Sequence, residues 1–333
     1  MTFISLSKVE DPETLLDMAF RAARERRDFA HKDIKGRSDI TRLKKSQRAE
    51  QQRVYGAGRT LKRQLDTIIT AYPSINNLPA FYQEIIQTVV SVDELKHAIG
   101  AVHWAMDKID EFTTEYGHLI GDCHDLTKIN ALRRAYYGRC ASTLKRVKKE
   151  LAYLEVCRKA FKDLPSLKTS MPTVVIAGVP NVGKSTLLHA LTGAKPEIKP
   201  YPFTTKHLML GYATIGEQEL QFIDTPGLLD RPQHKRNTIE ARAALAVKHL
   251  ANVVLFVIDP TGHCGFSMDE QLRLLKDIQE DFNTPIIVLI NKADVGVEYE
   301  KFELPKKLVA LRISAKNKQG IDEALAAITN ALS

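Results

Sequence analysis

The feature that most constrains this chain is the octapeptide Gly178-Val179-Pro180-Asn181-Val182-Gly183-Lys184-Ser185. It has the form G-x-x-x-x-G-K-S/T and stands between an apolar run at 174–177 and the segment Thr186-Leu187-Leu188-His189-Ala190-Leu191. The run reads as a buried strand and the segment as a helix, the context in which this spacing builds a phosphate-binding loop. Glycines let the backbone turn tightly and aim its N–H groups at a phosphate, and the N-terminus of the following helix adds partial positive charge. Asn181, Val182, Gly183, Lys184, Ser185 and Thr186 are the candidate contacts. Lys184 is placed to reach the β- and γ-phosphates, and the Ser185 hydroxyl to ligate Mg²⁺.

Two downstream segments specify the base. Asn291-Lys292-Ala293-Asp294 follows a second apolar run, Ile286–Ile290. A carboxylate at Asp294 can accept from the N1–H and 2-amino edge of guanine, whereas adenine would face it with a lone pair. Sites built on such pairing discriminate by about 10⁴, so GTP and GDP are expected rather than ATP. Ser314-Ala315-Lys316 follows a third run at 308–313 and precedes a final helix. It suits a backbone contact to guanine O6 and packing against the base.

Asp224-Thr225-Pro226-Gly227 ends another strand, at 220–223. Asp224 is the second expected Mg²⁺ group, acting through water because Mg²⁺ keeps much of its hydration. The Gly227 N–H can face the γ-phosphate. Tyr201-Pro202-Phe203-Thr204-Thr205 lies between these motifs, and a threonine hydroxyl here can reach Mg²⁺ only while the γ-phosphate is present. Of the two adjacent threonines, Thr205 is the preferred ligand. Lys184, Thr205 and Gly227 are thus the expected catalytic set, and Ser185, Thr205 and Asp224 the metal set.

After Asp-x-x-Gly, Ras-like enzymes carry a glutamine that orients the attacking water. This chain has Leu228 there, followed by Leu229. An apolar side chain cannot orient water, so slow intrinsic hydrolysis is expected, or help from another group. A bound K⁺ is one candidate, because Asn181 sits where potassium-stimulated GTPases place a ligating asparagine. Asparagine is equally good chemistry for a tight turn.

Length and charge bound the rest. A chain of 333 residues with 44% hydrophobic content can fill two cores. Its longest apolar runs are far short of a membrane span and its first residues lack a signal-peptide pattern. Cys123, Cys140, Cys157 and Cys264 lack metal-type spacing and read as free thiols of a cytoplasmic protein. His263-Cys264 has no partners nearby in sequence and reads as loop packing. Residues 171–333 hold 18 basic and 18 acidic side chains, so the formal net charge of +8 falls within residues 1–170, which hold 30 and 22. It concentrates in 20–63 (15 basic, 5 acidic) and 128–162 (11 and 2), while 74–125 reverses sign (2 and 9).

Residues 1–165 read as helical throughout. Asp11-Pro12-Glu13 starts one helix, and 39–72 forms a long polar one carrying Arg42, Lys44, Lys45, Arg48, Arg53, Arg59, Lys62 and Arg63, with looser points at Gly36, Gly56 and Gly58. One or two helices follow in 79–119, and a last long helix is expected at about 127–162. This half carries no catalytic motif. Basic side chains along helices neutralise phosphates and release counterions, so RNA is the expected partner; no DNA-reading motif is present. Tyr55, Tyr136 and Tyr137 lie among the basic residues and are candidates to stack on unpaired bases. A solvated charged face is the plainer alternative.

The chain resembles the nucleolar GTP-binding protein 1 family, a branch of the Obg-related GTPases, in its short archaeal-looking form. The resemblance spans nearly the whole chain. It rests on the helical half joined to the phosphate loop, on Tyr201-Pro202-Phe203-Thr204-Thr205-Lys206, on Asp224-Thr225-Pro226-Gly227-Leu228-Leu229-Asp230, and on Asp259-Pro260-Thr261-Gly262-His263-Cys264-Gly265. It implies a GTPase of large-ribosomal-subunit assembly whose helical domain contacts ribosomal RNA. The sequence ends after the last expected helix, without the long C-terminal extension of eukaryotic members. The expected architecture is α followed by α/β: a helical bundle at 1–165, a linker at 166–171, and a P-loop GTPase domain at 172–333. Its sheet should be mostly parallel and six-stranded, with a hairpin pairing 207–215 against 218–224. The free protein is expected to be monomeric, with no membrane association. The competing function is a regulatory GTPase whose bundle binds a protein partner.

Overall fold

The structure, a computed structural model, describes residues 6–34, 41–200, 207–230, 238–295, 304 and 308–332. The chain forms two compact units, one built from Ile4–Ser74 and Val90–Lys162, the other from Ile75–Val89 and Asp163–Ser333.

The first unit is helical. Helix α1 (Pro12–Ile34) begins where Asp11 caps it, its carboxylate accepting the Thr14 N–H at 2.9 Å. Helix α2 (Arg42–Ala71) buries Val54, Leu61, Leu65 and Ile68 on one face. Gly56 and Gly58, expected as loose points in α2, are instead points of closest approach. A Cβ on Gly58 would collide with the Thr113 side chain, and one on Gly56 would lie 2.9 Å from the Arg26 side chain. The 79–119 region is two helices, α3 (Ala80–Val89) and α4 (Val92–Gly121), separated where Ser91 caps α4. The expected last helix is also two, α5 (Leu126–Arg146) and α6 (Lys148–Lys162). They break at Val147, whose φ of −101° and ψ of 20° leave the helical region. No glycine or proline marks that break, so the sequence carried no signal for it.

Helix α3 lies in the helical half of the sequence and in the second unit of the structure. It buries Phe81, Tyr82, Ile85 and Ile86. The Tyr82 hydroxyl accepts the Leu167 N–H at 3.0 Å and donates to Pro165 O at 3.1 Å. The Lys168 N–H in turn reaches the Gln221 side chain at 3.2 Å. Residues 165–168 are therefore bonded into this unit.

The second unit holds a sheet in the order β2-β3-β4-β1-β5-β6-β7. Its strands are β1 (Thr173–Ala177), β2 (Glu197–Pro200), β3 (His207–Ile215), β4 (Gln218–Asp224), β5 (Ala251–Ile258), β6 (Ile286–Ile290) and β7 (Val309–Arg312). Among the described residues the sheet has seven strands, not the six expected. The extra one, β2, is a four-residue edge strand ending at Pro200 with Ile198 61% exposed, so it presents no apolar run to find. The β3–β4 pair is the expected antiparallel hairpin, and β4, β1, β5, β6 and β7 pair in parallel. Parallel strands covered on both faces read as unbroken apolar runs, and β1 and residues 253–258 of β5 are buried throughout. The helices of this unit are α3, α7 (Lys184–Thr192), α8 (Thr238–Lys248), α9 (Met268–Asp281) and α10 (Ile321–Leu332). Among the described residues, no helix is long and apolar enough to cross a membrane.

Candidate functional site

The motif residues follow the carboxyl ends of β1, β4, β6 and β7, the edge where open α/β sheets bind ligands. The phosphate loop leaves β1 through Gly178, with φ of 141°, and enters α7 through Gly183, with φ of 100°. A Cβ on Gly178 would lie 2.5 Å from Val257 O, and one on Gly183 2.5 Å from the Asn291 amide nitrogen. Neither position has room for a side chain. Asn181 is left-handed too, with φ of 63°, a conformation asparagine tolerates better than most residues. Its side chain is exposed, as are Ser185 and Thr186, while Val182 and Lys184 are buried.

Lys184 Nζ donates to Gly178 O at 2.8 Å and to Val179 O at 2.9 Å, and forms an ion pair with Asp230 at 3.0 Å. Asp224 is fully buried, and its Oδ2 accepts the Ser185 hydroxyl at 2.7 Å. Among the described residues its Oδ1 has no hydrogen-bond partner. Burial pushes the Asp224 carboxyl up to about 6, against the opposing pull of the Ser185 hydrogen bond. A buried carboxylate oxygen left without a donor, beside a hydroxyl, is the hard oxygen set that Mg²⁺ takes. Ser185 and Asp224 therefore fit the expected metal. Thr205, with Thr204, lies outside the described residues. The Gly227 N–H donates to Asp230 Oδ2 at 2.6 Å, and Leu228 and Leu229 are buried, so neither side chain is available to water.

At the base end, Asn291 braces the backbone. Its amide donates to Val182 O at 2.8 Å and its oxygen accepts the Ala315 N–H at 2.9 Å, tying the phosphate loop to the loop after β7. Within the Ser314-Ala315-Lys316 segment expected to contact guanine O6 through its backbone, the Ala315 amide is thus engaged with Asn291. Asp294 is exposed, and the Ser314 hydroxyl donates to its Oδ1 at 2.7 Å, holding its carboxyl below the usual carboxylate range. Lys292 pairs with Asp259 at 2.5 Å. Burial alone would raise the Asp259 pKa, but the Lys292 ammonium and the Thr261 hydroxyl and amide outweigh it and hold the group ionised. Gln271 on α9 clasps the Asp259 backbone in both directions, at 2.9 Å each way. Cys264 is buried under this loop and His263 is exposed, in keeping with a packing role.

A cleft of ≈ 420 Å³ joins the two ends, lined by Ser185, Thr186, His189, Ala190, Ala315, Lys316 and Lys318. His189 and Lys318 belong to no motif and were not foreseen. Asp230 and Asp259 were quoted only within longer motifs, and nothing in their spacing revealed that each would pair with a motif lysine.

The helical unit sorts its basic residues into two groups. Arg53 and Arg133 share the nearly buried Glu50, at 3.3 and 3.1 Å. The Arg139 guanidinium lies over the Phe112 and Tyr116 rings, and that of Arg146 over Trp104. Lys44 and Arg48, by contrast, line a polar cleft of ≈ 340 Å³ with Gln47, Gln51, His118, Gly121 and Asp122. Gln47 shapes that cleft by donating to Gly121 O and Cys123 O, at 2.8 and 2.9 Å. Of the tyrosines expected to stack on bases, Tyr136 is closed off by burial, while Tyr55 and Tyr137 are half-buried. Tyr136 is fully buried and hydrogen-bonded to Thr113 at 2.9 Å, Tyr137 packs on Phe20 with ring centroids 4.2 Å apart, and Tyr55 abuts Gly117.

A phosphate loop after β1, a buried acid after β4 and Asn-Lys-x-Asp after β6, on a mostly parallel sheet, define a P-loop GTPase. The chain matches the NOG1 N-terminal helical domain over residues 3–168 and the 50S ribosome-binding GTPase over residues 173–292. It is 44% identical to an uncharacterised protein of Methanocaldococcus jannaschii over 76% of this chain and 71% of the other. It is 36% identical to nucleolar GTP-binding protein 1 of Encephalitozoon cuniculi, over 75% of this chain and 48% of that one. To the protein of the same name from Caenorhabditis elegans it is 37% identical, over 79% and 38%. The chain belongs to the nucleolar GTP-binding protein 1 family, and its matches span about half or less of those two eukaryotic relatives.

Proposed function

We propose that this GTPase is a nucleotide-dependent switch in assembly of the large ribosomal subunit, and that its helical unit contacts ribosomal RNA of the subunit precursor. The observation that carries the reading is the polar cleft where Lys44 and Arg48 stand exposed, in the half of the sequence that holds the excess positive charge. Side chains so placed are free to neutralise phosphates. The ribosome-binding description of the matched GTPase family and the nucleolar name of the relatives point the same way.

In the nucleotide cycle, Asp294 accepts from guanine, Lys292 flanks the base, and the Ser314-Ala315-Lys316 turn closes over it. Asn181, Val182, Gly183, Ser185 and Thr186 line the phosphates with Lys184. Ser185, Asp224 and, in the GTP state, Thr205 would hold Mg²⁺, which would supply neutralisation of the phosphate charge. The Gly227 N–H reads the γ-phosphate. Because Leu228 is buried, basal hydrolysis is slow; Asn181 would hold a K⁺ that would supply the missing positive charge, or the bound particle would supply the missing group. The protein acts as a monomer in the cytoplasm.

The test is pelleting of the full chain with purified large subunits or their precursors, with a non-hydrolysable GTP analogue and with GDP. Co-sedimentation favoured by the analogue is the expected result. Recovery with a soluble protein instead, with none on the subunit in either state, would favour the regulatory alternative.

A further inference from the structure

Two groups that the GTPase site offers to a γ-phosphate already meet one carboxylate. Asp230 Oδ1 lies 3.0 Å from Lys184 Nζ, and Asp230 Oδ2 accepts the Gly227 N–H at 2.6 Å. The pair is secluded, with the lysine side chain 7% and the aspartate side chain 10% exposed. Its surroundings are those of a phosphate cradle: the phosphate loop holds Lys184 through Gly178 O and Val179 O, and Asp224 with Ser185 stands beside it.

We propose that Asp230 is a built-in stand-in for the γ-phosphate, and that its eviction sets the preference of this site between GDP and GTP. A carboxylate presents two anionic oxygens, as one face of a terminal phosphate does: here one accepts a charge-assisted hydrogen bond from the Gly227 N–H and the other meets the Lys184 ammonium as an ion pair. Lys184 must turn toward the β-phosphate whichever nucleotide enters. The Gly227 N–H is different: only a nucleotide with a γ-phosphate competes for it. GDP leaves the Asp230–Gly227 bond in place. GTP must break it and bring further negative charge against the carboxylate. The affinity for GTP is therefore lowered by the work of moving Asp230, while that for GDP is not. Asp230 follows Gly227 by three residues, so its release frees the turn that carries the γ-phosphate amide. The proposal stands on the nucleotide site alone and is independent of what the helical unit binds.

The experiment compares the full wild-type chain with Asp230→Ala, Asp230→Asn and Asp230→Glu. Affinities for GDP and for a non-hydrolysable GTP analogue are measured by fluorescent-nucleotide titration in Mg²⁺, with circular dichroism to confirm the fold. Asp230→Ala should raise the affinity ratio of GTP analogue to GDP by about tenfold, equivalent to about 1.4 kcal/mol. Asp230→Asn should raise it less, because its amide oxygen can still accept the Gly227 N–H, although it no longer sets a negative charge against the γ-phosphate. Asp230→Glu, which keeps the charge, should stay nearest to wild type. A purely structural role would weaken both nucleotides in parallel. An unchanged ratio in folded Asp230→Ala, or in Asp230→Asn if the alanine variant does not fold, would overturn the proposal.

Discussion

In the nucleotide unit, Lys184 meets Asp230, Lys292 meets Asp259 and Asp294 meets Ser314, each pair drawn together at the ends of parallel strands. In the helical unit, Arg53 and Arg133 turn inward to Glu50, Arg139 and Arg146 lie over rings, and Lys44 and Arg48 open onto a cleft. Charge means something different in the two units. Among strand ends a motif lysine or aspartate is held by backbone geometry, and its role follows from its place in the motif. Along a helix the same residue type is a core partner or a free cation depending on which way a 3.6-residue repeat turns it. Net charge alone cannot separate those cases.

The largest expected effect tests the first half of that contrast. Asp294→Asn exchanges an acceptor for a group that donates to the base, while the Ser314 hydroxyl keeps the residue in place. GTP affinity should fall and xanthine nucleotide affinity should rise, with the preference shifting by up to about 10⁴. Titration with both nucleotides checks it, and unchanged discrimination would mean that the base is read elsewhere.

A second variant asks where α3 belongs. Ile85 is fully buried on the helix that joins the nucleotide unit from within the helical half of the sequence. Ile85→Ala should cost about 2–5 kcal/mol and should lower hydrogen-exchange protection of the parallel strands. Loss of protection confined to α2, α4 and α5 would place α3 with the helical unit instead.

The smallest effect concerns the buried thiols. Burial pushes Cys140 up to about 12 and Cys157 up to about 11. The unfolded chain ionises them first, near the ordinary value of 9.0. Their contribution to stability is therefore complete below that pH and declines as the pH rises from there toward 11–12. At pH 8 an alkylating reagent should modify half-buried Cys123 well before Cys140 or Cys157. Equal labelling of all three would show a looser helical unit.

How far the sequence could be read follows the same division. The placement of the motif at 178–185 after β1, of Asp224 at the end of β4 and of the segments after β6 and β7 was legible because each pairs a short motif with an apolar strand. The final helix and the β3–β4 hairpin were legible for similar reasons. Strand β2 was not, since Glu197–Pro200 has no apolar alternation, and the break at Val147 was not, since no helix breaker sits there. The unit to which α3 belongs depends on contacts made far along the chain, such as that of Tyr82 with Leu167. Tyr136 looked like a stacking residue because basic residues flank it in sequence, yet helical periodicity turns it into the core.

The outward-facing cations of the helical unit, rather than its inward-paired arginines, are the groups proposed to hold RNA. The most direct measurement is the salt dependence of binding to large-subunit RNA by the full chain and by its Lys44→Gln, Arg48→Gln double variant, with helicity and GTP affinity checked in the same preparations. The account predicts weaker binding and a salt slope shallower by about 2 for the double variant, at unchanged GTP affinity. A folded double variant with wild-type affinity and slope would contradict it.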